Sequence, residues 1–243
     1  MTKRLRMIAG PNGSGKSTLM RRLSEDYAVN FYDFLNADDI FAEVSRSLAY
    51  QPMFSVDGDA LADYAARSTY PEAVKNCFTG GVITVEDDCV RFRDSSAVNS
   101  YTIALLTNFL QHESIRCGRC FSQETVFSHP SKIAALAAAK AAGYRTYLYY
   151  IATSSPRINS SRVANRARQG GHDVPPEKIA ERYRRSLALV PQALPQLSRA
   201  YFFDNSGSEM TYLAQWNPTD GLIRSSATDF KPKWMESIYE KLS

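Results

Sequence analysis

The apolar positions near the start of the chain switch between two periodicities, and the switch predicts the opening architecture. Leu5 to Ala9 is a short, mostly apolar run ended by Gly10, the pattern of a buried strand. From about Lys16 to Leu23, the apolar residues Leu19, Met20 and Leu23 follow helical spacing instead. A second strand-like stretch, Phe31 to Leu35, ends in Asn36-Ala37-Asp38-Asp39, where Asp38 or Asp39 can cap a helix carrying Ile40, Phe41 and Val44. Strand, loop and helix in this order are the rhythm of a parallel sheet. Residues from about 58 to 79 read as mainly helical, Gly80 to Arg93 alternates like a short hairpin, and Tyr101 to Leu110 is again helical.

The first rhythm then returns. Phe121 to Val126 reads as a strand, Ser131 to Ala142 as an Ala-rich helix closed by Gly143, and Tyr144 to Ala152 as a second strand. Arg157 to Arg168 is a basic helix broken at Gly170-Gly171-His172. A long helix follows Pro175-Pro176 through Ile179, Tyr183, Leu187 and Val190 towards breaks at Pro191 and Pro195. Ala200 to Phe203 is one more strand, ending in Asp204-Asn205, and the last forty residues read as a hairpin and a terminal helix.

Composition adds little to this α/β pattern. With 243 residues, 44% of them apolar, the chain can bury one substantial core, so one main domain is expected. A net charge of +4 gives no bulk footprint for nucleic acid. No apolar run approaches the roughly 20 residues of a membrane span, and Met1 to Arg6 leads straight into the first strand; a soluble cytoplasmic protein is expected, with no membrane partner. Cys77, Cys89, Cys117 and Cys120 include one C-x-x-C pair but match no common zinc spacing, and they read as structural.

The chemistry begins at Gly10-Pro11-Asn12-Gly13-Ser14-Gly15-Lys16-Ser17, which fits G-x-x-x-x-G-K-[ST] at every fixed position and sits between a predicted strand and helix. Glycines let backbone amides of Asn12, Gly13, Ser14, Gly15 and Lys16 turn inward around phosphates, with Gly10 at the start of the loop and Thr18 at its end. Lys16 would reach the β and γ oxygens and Ser17 would hold magnesium, so ATP and Mg²⁺ are the expected cofactors. Ligands on a parallel sheet collect beyond the carboxyl ends of its strands. Two more such ends carry polar residues here, Asn36 to Asp39 and Glu124-Thr125. A carboxylate at Asp38 or Asp39 could accept a proton from a substrate hydroxyl, and Glu124 could orient that hydroxyl or a metal-bound water. Arg162 and Arg166 share one helical face ahead of the glycine pair, as the arginines of a lid would; Arg182, Arg184 and Arg185 form a second basic cluster.

These segments resemble the zeta-toxin-like kinase family, including its branch of predicted ABC-type ATPases. The matching pieces are MIAGPNGSGKST at 7–18, FLNADDI at 34–40, ETVFSHPSK at 124–132, AAKAAGYRTYLYYIAT at 138–153 and RVANRARQGGHDVPPEKIAERYRRSL at 162–187. The resemblance implies a P-loop NTPase three-layer sandwich with a mostly parallel central sheet and a helical lid. It implies one kinase-like domain over residues 1–243, with an inserted substrate-side region at about 55–120. The implied reaction moves the γ-phosphoryl of ATP to a small-molecule hydroxyl, UDP-N-acetylglucosamine being the acceptor of the toxin members, and an antitoxin is an implied partner. By motif position Asp38 would be the base, Glu124 the substrate-side acid and Arg166 a lid arginine, with Arg168 or Arg182 as the second; Asp39, Thr125 and Arg182 join Glu124 as substrate-binding candidates. Rival readings are a polynucleotide or nucleoside kinase, a nucleotide-binding module without turnover, and an ABC-like ATPase. Val82 to Asp87 resembles the acidic strand of an ABC-like ATPase, but the chain has no LSGGQ-type signature.

Overall fold

The computed structural model describes residues 2–169 and 174–240, so the Gly170-Gly171-His172 break lies outside the described residues. In chain order the elements are β1 (Arg4–Ala9), α1 (Lys16–Tyr27), β2 (Asp33–Leu35), α2 (Ala37–Ser47), β3 (Ala49–Tyr50), α3 (Gly58–Arg67), α4 (Glu72–Thr79), β4 (Ile83–Glu86), β5 (Cys89–Phe92) and α5 (Ser100–Arg116). Then come β6 (Phe121–Thr125), α6 (Ser131–Ala141), β7 (Arg145–Ala152), α7 (Pro156–Arg168), α8 (Pro176–Ala193), β8 (Arg199–Asp204), β9 (Thr211–Asn217), β10 (Gly221–Arg224) and α9 (Lys233–Tyr239). The chain divides into two compact units, residues 1–32 with 119–243, and residues 33–118.

The first unit contributes six strands to the mostly parallel central sheet, in the order β10-β9-β8-β7-β1-β6. Strands β6, β1, β7 and β8 are parallel, and β9 and β10 close the edge as an antiparallel hairpin. Parallel strands flanked by helices are covered on both faces and therefore read as near-continuous apolar runs. In β7 the residues from Leu148 to Ala152 are all buried, and Leu5, Met7, Ile8, Phe121, Ala200 and Phe202 are fully buried beside them. The register sets Ala9 level with Thr125 on one side and Tyr150 on the other, so the loop after β1 leaves the sheet beside the carboxyl ends of both neighbours.

Helices α8 and α9 attach to this sheet through polar contacts inside the core. The Tyr150 hydroxyl lies 2.9 Å from Ser186 Oγ on α8. Trp234 of α9 donates from Nε1 to Asp204 Oδ2 at 2.7 Å, while the other carboxylate oxygen accepts from the Ser206 amide. Pro191 does not break α8, contrary to the sequence reading. It stands in the last turns, where it forfeits a single backbone bond, and Val190 and Ala193 on either side are completely buried.

The second unit combines α2 to α5 with an antiparallel sheet of order β3-β5-β4. Its helices begin where short polar side chains can satisfy free amides. Asn36 caps α2 by accepting from the Asp38 amide at 3.0 Å, so Asp38 and Asp39 occupy the first turn rather than the cap. Asp57 caps α3, and Asn99 with Thr102 forms a capping box on α5. Helix α5 continues beyond the predicted Leu110 to Arg116; the polar residues that hide this extension from a periodicity argument include Glu113, buried and held by Arg116 at 2.7 Å. That pairing keeps the Glu113 carboxyl below the usual carboxylate range.

The Asp204–Trp234 contact provides a test of how α9 is held. Replacing Trp234 with Phe keeps most of the ring volume but leaves a buried carboxylate oxygen without its donor, which should cost about 2 kcal/mol in denaturant unfolding. An unfolding free energy within a few tenths of wild type would contradict this role.

Candidate functional site

The loop from Gly10 to Ser17 owes its shape to contacts with its surroundings. Gly10, Gly13 and Gly15 have φ of 154°, 73° and 99°. A Cβ at Gly10 would stand 2.0 Å from the Ile151 carbonyl oxygen, at Gly13 2.6 Å from the Asn159 carbonyl oxygen, and at Gly15 2.3 Å from Asn205 Nδ2. Only glycine fits, for both conformational and steric reasons. The Gly10 amide donates to the Thr125 carbonyl at 3.2 Å, and the Leu19 amide donates to Gly15 at 2.9 Å as α1 begins. The loop thereby opens onto the amino end of α1, where free amides and the helix dipole favour an anion.

Glu124, the penultimate residue of β6, joins the two reactive side chains of the loop. Ser17 Oγ donates to its Oε2 at 3.0 Å, and Lys16 Nζ lies 3.7 Å from its Oε1 and 3.3 Å from the Pro11 carbonyl oxygen. Lys16 is 8% exposed and Glu124 11%. Charges held this far from water must be paired, since the desolvation of an isolated ion costs several kcal/mol. The carboxylate that looked out of place in a buried strand has its partner in Lys16.

An open cleft of about 190 Å³ lies over these groups, lined also by Gly13, Gly15, Thr18, Val163 and, from α7, Arg162 and Arg166. Three cations therefore face one carboxylate. Ser14 Oγ, completely buried, has no hydrogen-bond partner among the described residues. A glycine cradle and a cationic lining fit a polyphosphate, and the Ser17–Glu124 pair supplies the hard oxygen donors that suit magnesium.

The remaining predicted residues lie as follows. Thr125 accepts from the Phe127 amide at 3.1 Å and shapes the turn after β6. Arg168 donates to Asn165 on its own helix, and Arg182 is half-buried on α8; neither lines the cleft. Asp38 and Asp39 belong to the second unit. Burial pushes the Asp39 carboxyl above the usual range, the Asn36 side chain opposing this and Asp38 adding to it.

Sequence reasoning overlooked Asn159 and Asn205. Asn159, fully buried on α7, donates from Nδ2 to the Asn12 carbonyl at 2.6 Å, and its Oδ1 accepts from Thr153 Oγ1. Asn205 donates from Nδ2 to the Ser14 carbonyl at 2.9 Å, and its own carbonyl accepts from Arg162 Nη1 at 2.8 Å. The available signals were the place of Asn205 at the carboxyl end of a parallel strand and the helical spacing of Asn159 with buried Val163.

The sequence matches the family model described as an AAA domain over residues 5–189. Among proteins of curated function, none matches. Solved structures share the fold. A chain of the AvrRxo1-ORF1:AvrRxo1-ORF2 complex crystallised with ATP superposes with a TM-score of 0.53 at 15% identity, covering 99% of this chain and 63% of that one. A chain from the PezAT chromosomal toxin–antitoxin system of Streptococcus pneumoniae gives 0.51 at 12% identity, covering 99% and 78%. The chain thus spans less than two thirds of the AvrRxo1 chain it matches, and at these identities the likeness is one of fold.

Steric and conformational costs in the loop can be separated experimentally. Gly143 also has positive φ, 79°, but no atom within 4 Å of a built Cβ. Gly143→Ala should therefore cost about 1 kcal/mol of stability, and Gly15→Ala, which also meets Asn205, about 2 kcal/mol or more. Equal costs in denaturant unfolding would show that the Asn205 contact yields freely.

Proposed function

Because the chain belongs to the AAA domain family through residues 5–189, we propose that its cleft binds ATP with magnesium and that it is a phosphotransferase of zeta-toxin-like type, moving the γ-phosphoryl to a small-molecule hydroxyl. The observation that carries this reading is the convergence of Lys16, Ser17 and Glu124, with Arg162 and Arg166 on the same cleft. Phosphoryl transfer needs little covalent help from the protein and is accelerated chiefly by positioning and by neutralising charge on the transferring group. The cleft is built for those two tasks.

In this reading the amides of the loop and Lys16 hold the β and γ oxygens. Ser17 would hold magnesium, with Glu124, which accepts from the Ser17 hydroxyl, beside it. Magnesium held there would neutralise part of the phosphate charge. Arg166, with Arg162 beside it, stabilises charge on the transferring phosphoryl. Asp38 accepts the proton of the acceptor hydroxyl as its oxygen bonds to phosphorus and ADP departs. A UDP-sugar such as UDP-N-acetylglucosamine is the acceptor class proposed, with residues of about 55–120 setting selectivity. An antitoxin protein is the partner proposed, in keeping with the toxin–antitoxin system whose fold the chain shares. Among the described residues no helix is long and apolar enough to cross a membrane, and a cytoplasmic setting is proposed.

The test is transfer from γ-labelled ATP to a panel of UDP-sugars, nucleosides and oligonucleotide ends. A labelled small molecule formed by the wild type and lost in Lys16→Ala is expected. Release of phosphate without any acceptor would replace the kinase reading with an ATPase, and a labelled oligonucleotide would move the acceptor to nucleic acid. Asp38→Asn should leave ATP affinity within about twofold and slow transfer by roughly 10² to 10⁴. Undiminished transfer would remove Asp38 as the base.

A further inference from the structure

Two side-chain amides outside the Gly10–Ser17 motif hold alternate carbonyls of the phosphate loop. Asn159 Nδ2 donates to the carbonyl of Asn12 at 2.6 Å, and Asn205 Nδ2 donates to the carbonyl of Ser14 at 2.9 Å. No peptide bond among the described residues is cis. In a planar trans peptide the carbonyl and the following amide point in opposite directions. A carbonyl of Asn12 drawn towards Asn159 therefore turns the Gly13 amide the other way, and the carbonyl of Ser14 drawn towards Asn205 does the same for the Gly15 amide. We propose that Asn159 and Asn205 are positioning residues that preset the loop by pulling two carbonyls outward, so that the Gly13 and Gly15 amides face the cleft before any ligand arrives.

The same two residues explain why glycine is needed at positions 13 and 15. The atom a Cβ at Gly13 would strike belongs to Asn159, and the atom a Cβ at Gly15 would strike belongs to Asn205. Each clamp is itself anchored. Thr153 Oγ1 donates to Asn159 Oδ1, leaving Nδ2 directed at the loop, and Tyr183 Oη fixes the Thr153 carbonyl at 2.6 Å. The backbone amide of Asn205 donates to the Ala152 carbonyl at 2.8 Å at the end of the sheet. Arg162, which lines the cleft, donates to the Asn205 carbonyl, so the arginine helix and the loop share one support. Preorganised amides cost no reorganisation when charge arrives, and that is the advantage the clamps confer.

The inference rests on the proposed phosphate site, and the ligands are chosen to separate the two. Titration calorimetry is run on wild type, Asn205→Ala and Thr153→Val with ATP, adenosine and inorganic tripolyphosphate. Wild type is expected to bind ATP and tripolyphosphate. Asn205→Ala should weaken both about tenfold or more, and Thr153→Val, which frees Asn159 without truncating it, should weaken both by a smaller factor. Adenosine affinity should stay within twofold, a selectivity that general loosening of the fold would not produce. ATP and tripolyphosphate affinities unchanged in both variants would overturn the clamps, as would equal losses for adenosine. Wild type that binds tripolyphosphate but not ATP would contradict the ATP kinase reading while leaving the clamp comparison intact. Binding of neither would overturn both.

Discussion

A nearly buried carboxylate at the end of β6 must have a cation beside it, and Lys16 is that cation. This one requirement links the two halves of the proposed phosphate site. Glu124 is delivered by the parallel pairing of β1 and β6, which sets Ile8 level with Glu124 and Ala9 level with Thr125. Lys16 is delivered by a glycine loop tight enough to reverse between β1 and α1. If the register of the two strands slipped by one residue, the side chain at 124 would turn to the other face of the sheet. Lys16 and Ser17 would then both lose their acceptor. The sheet order, the loop and the charge pair are mutually consistent, as expected where local choices support the global fold.

Much of this was legible from residue order. The G-x-x-x-x-G-K-S spacing located the loop between β1 and α1, and the apolar runs located β6, β7 and β8. Glu124 was conspicuous because a carboxylate in an apolar strand demands a partner, although the sequence did not identify Lys16 and Ser17 as that partner. Pairing across more than a hundred residues depends on strand order, and β1 lies between β6 and β7, which follow it far along the chain. The carboxamides of Asn159 and Asn205 were invisible for the same reason. Their role depends on which backbone carbonyl they meet, and a carbonyl leaves no mark on the sequence. Pro191 was misread because a proline inside a helix usually ends it, whereas here the burial of Val190 and Ala193 beside it offsets the lost backbone bond.

The site also divides labour between elements. Strand ends and the loop provide a floor in which a Cβ at Gly10 or Gly13 would collide with a backbone carbonyl. Helix α7 provides Arg162 and Arg166 above it, and its first turns are tied to that floor through Asn159. In the proposed reading such a site would hold charge by geometry fixed in the folded chain, the condition under which electrostatic stabilisation is largest. The proposal draws Asp38 and Asp39 from the first turn of α2 in the second unit, where burial raises the Asp39 carboxyl.

The most direct test of the central claim is a crystal structure of the chain with a non-hydrolysable ATP analogue and magnesium. The account requires phosphate oxygens within hydrogen-bonding distance of the Gly13 and Gly15 amides, the metal on Ser17 Oγ, and the Asn159–Asn12 and Asn205–Ser14 contacts unchanged from the free chain. An analogue bound elsewhere, or a loop whose carbonyls at Asn12 and Ser14 had turned into the cleft, would contradict it.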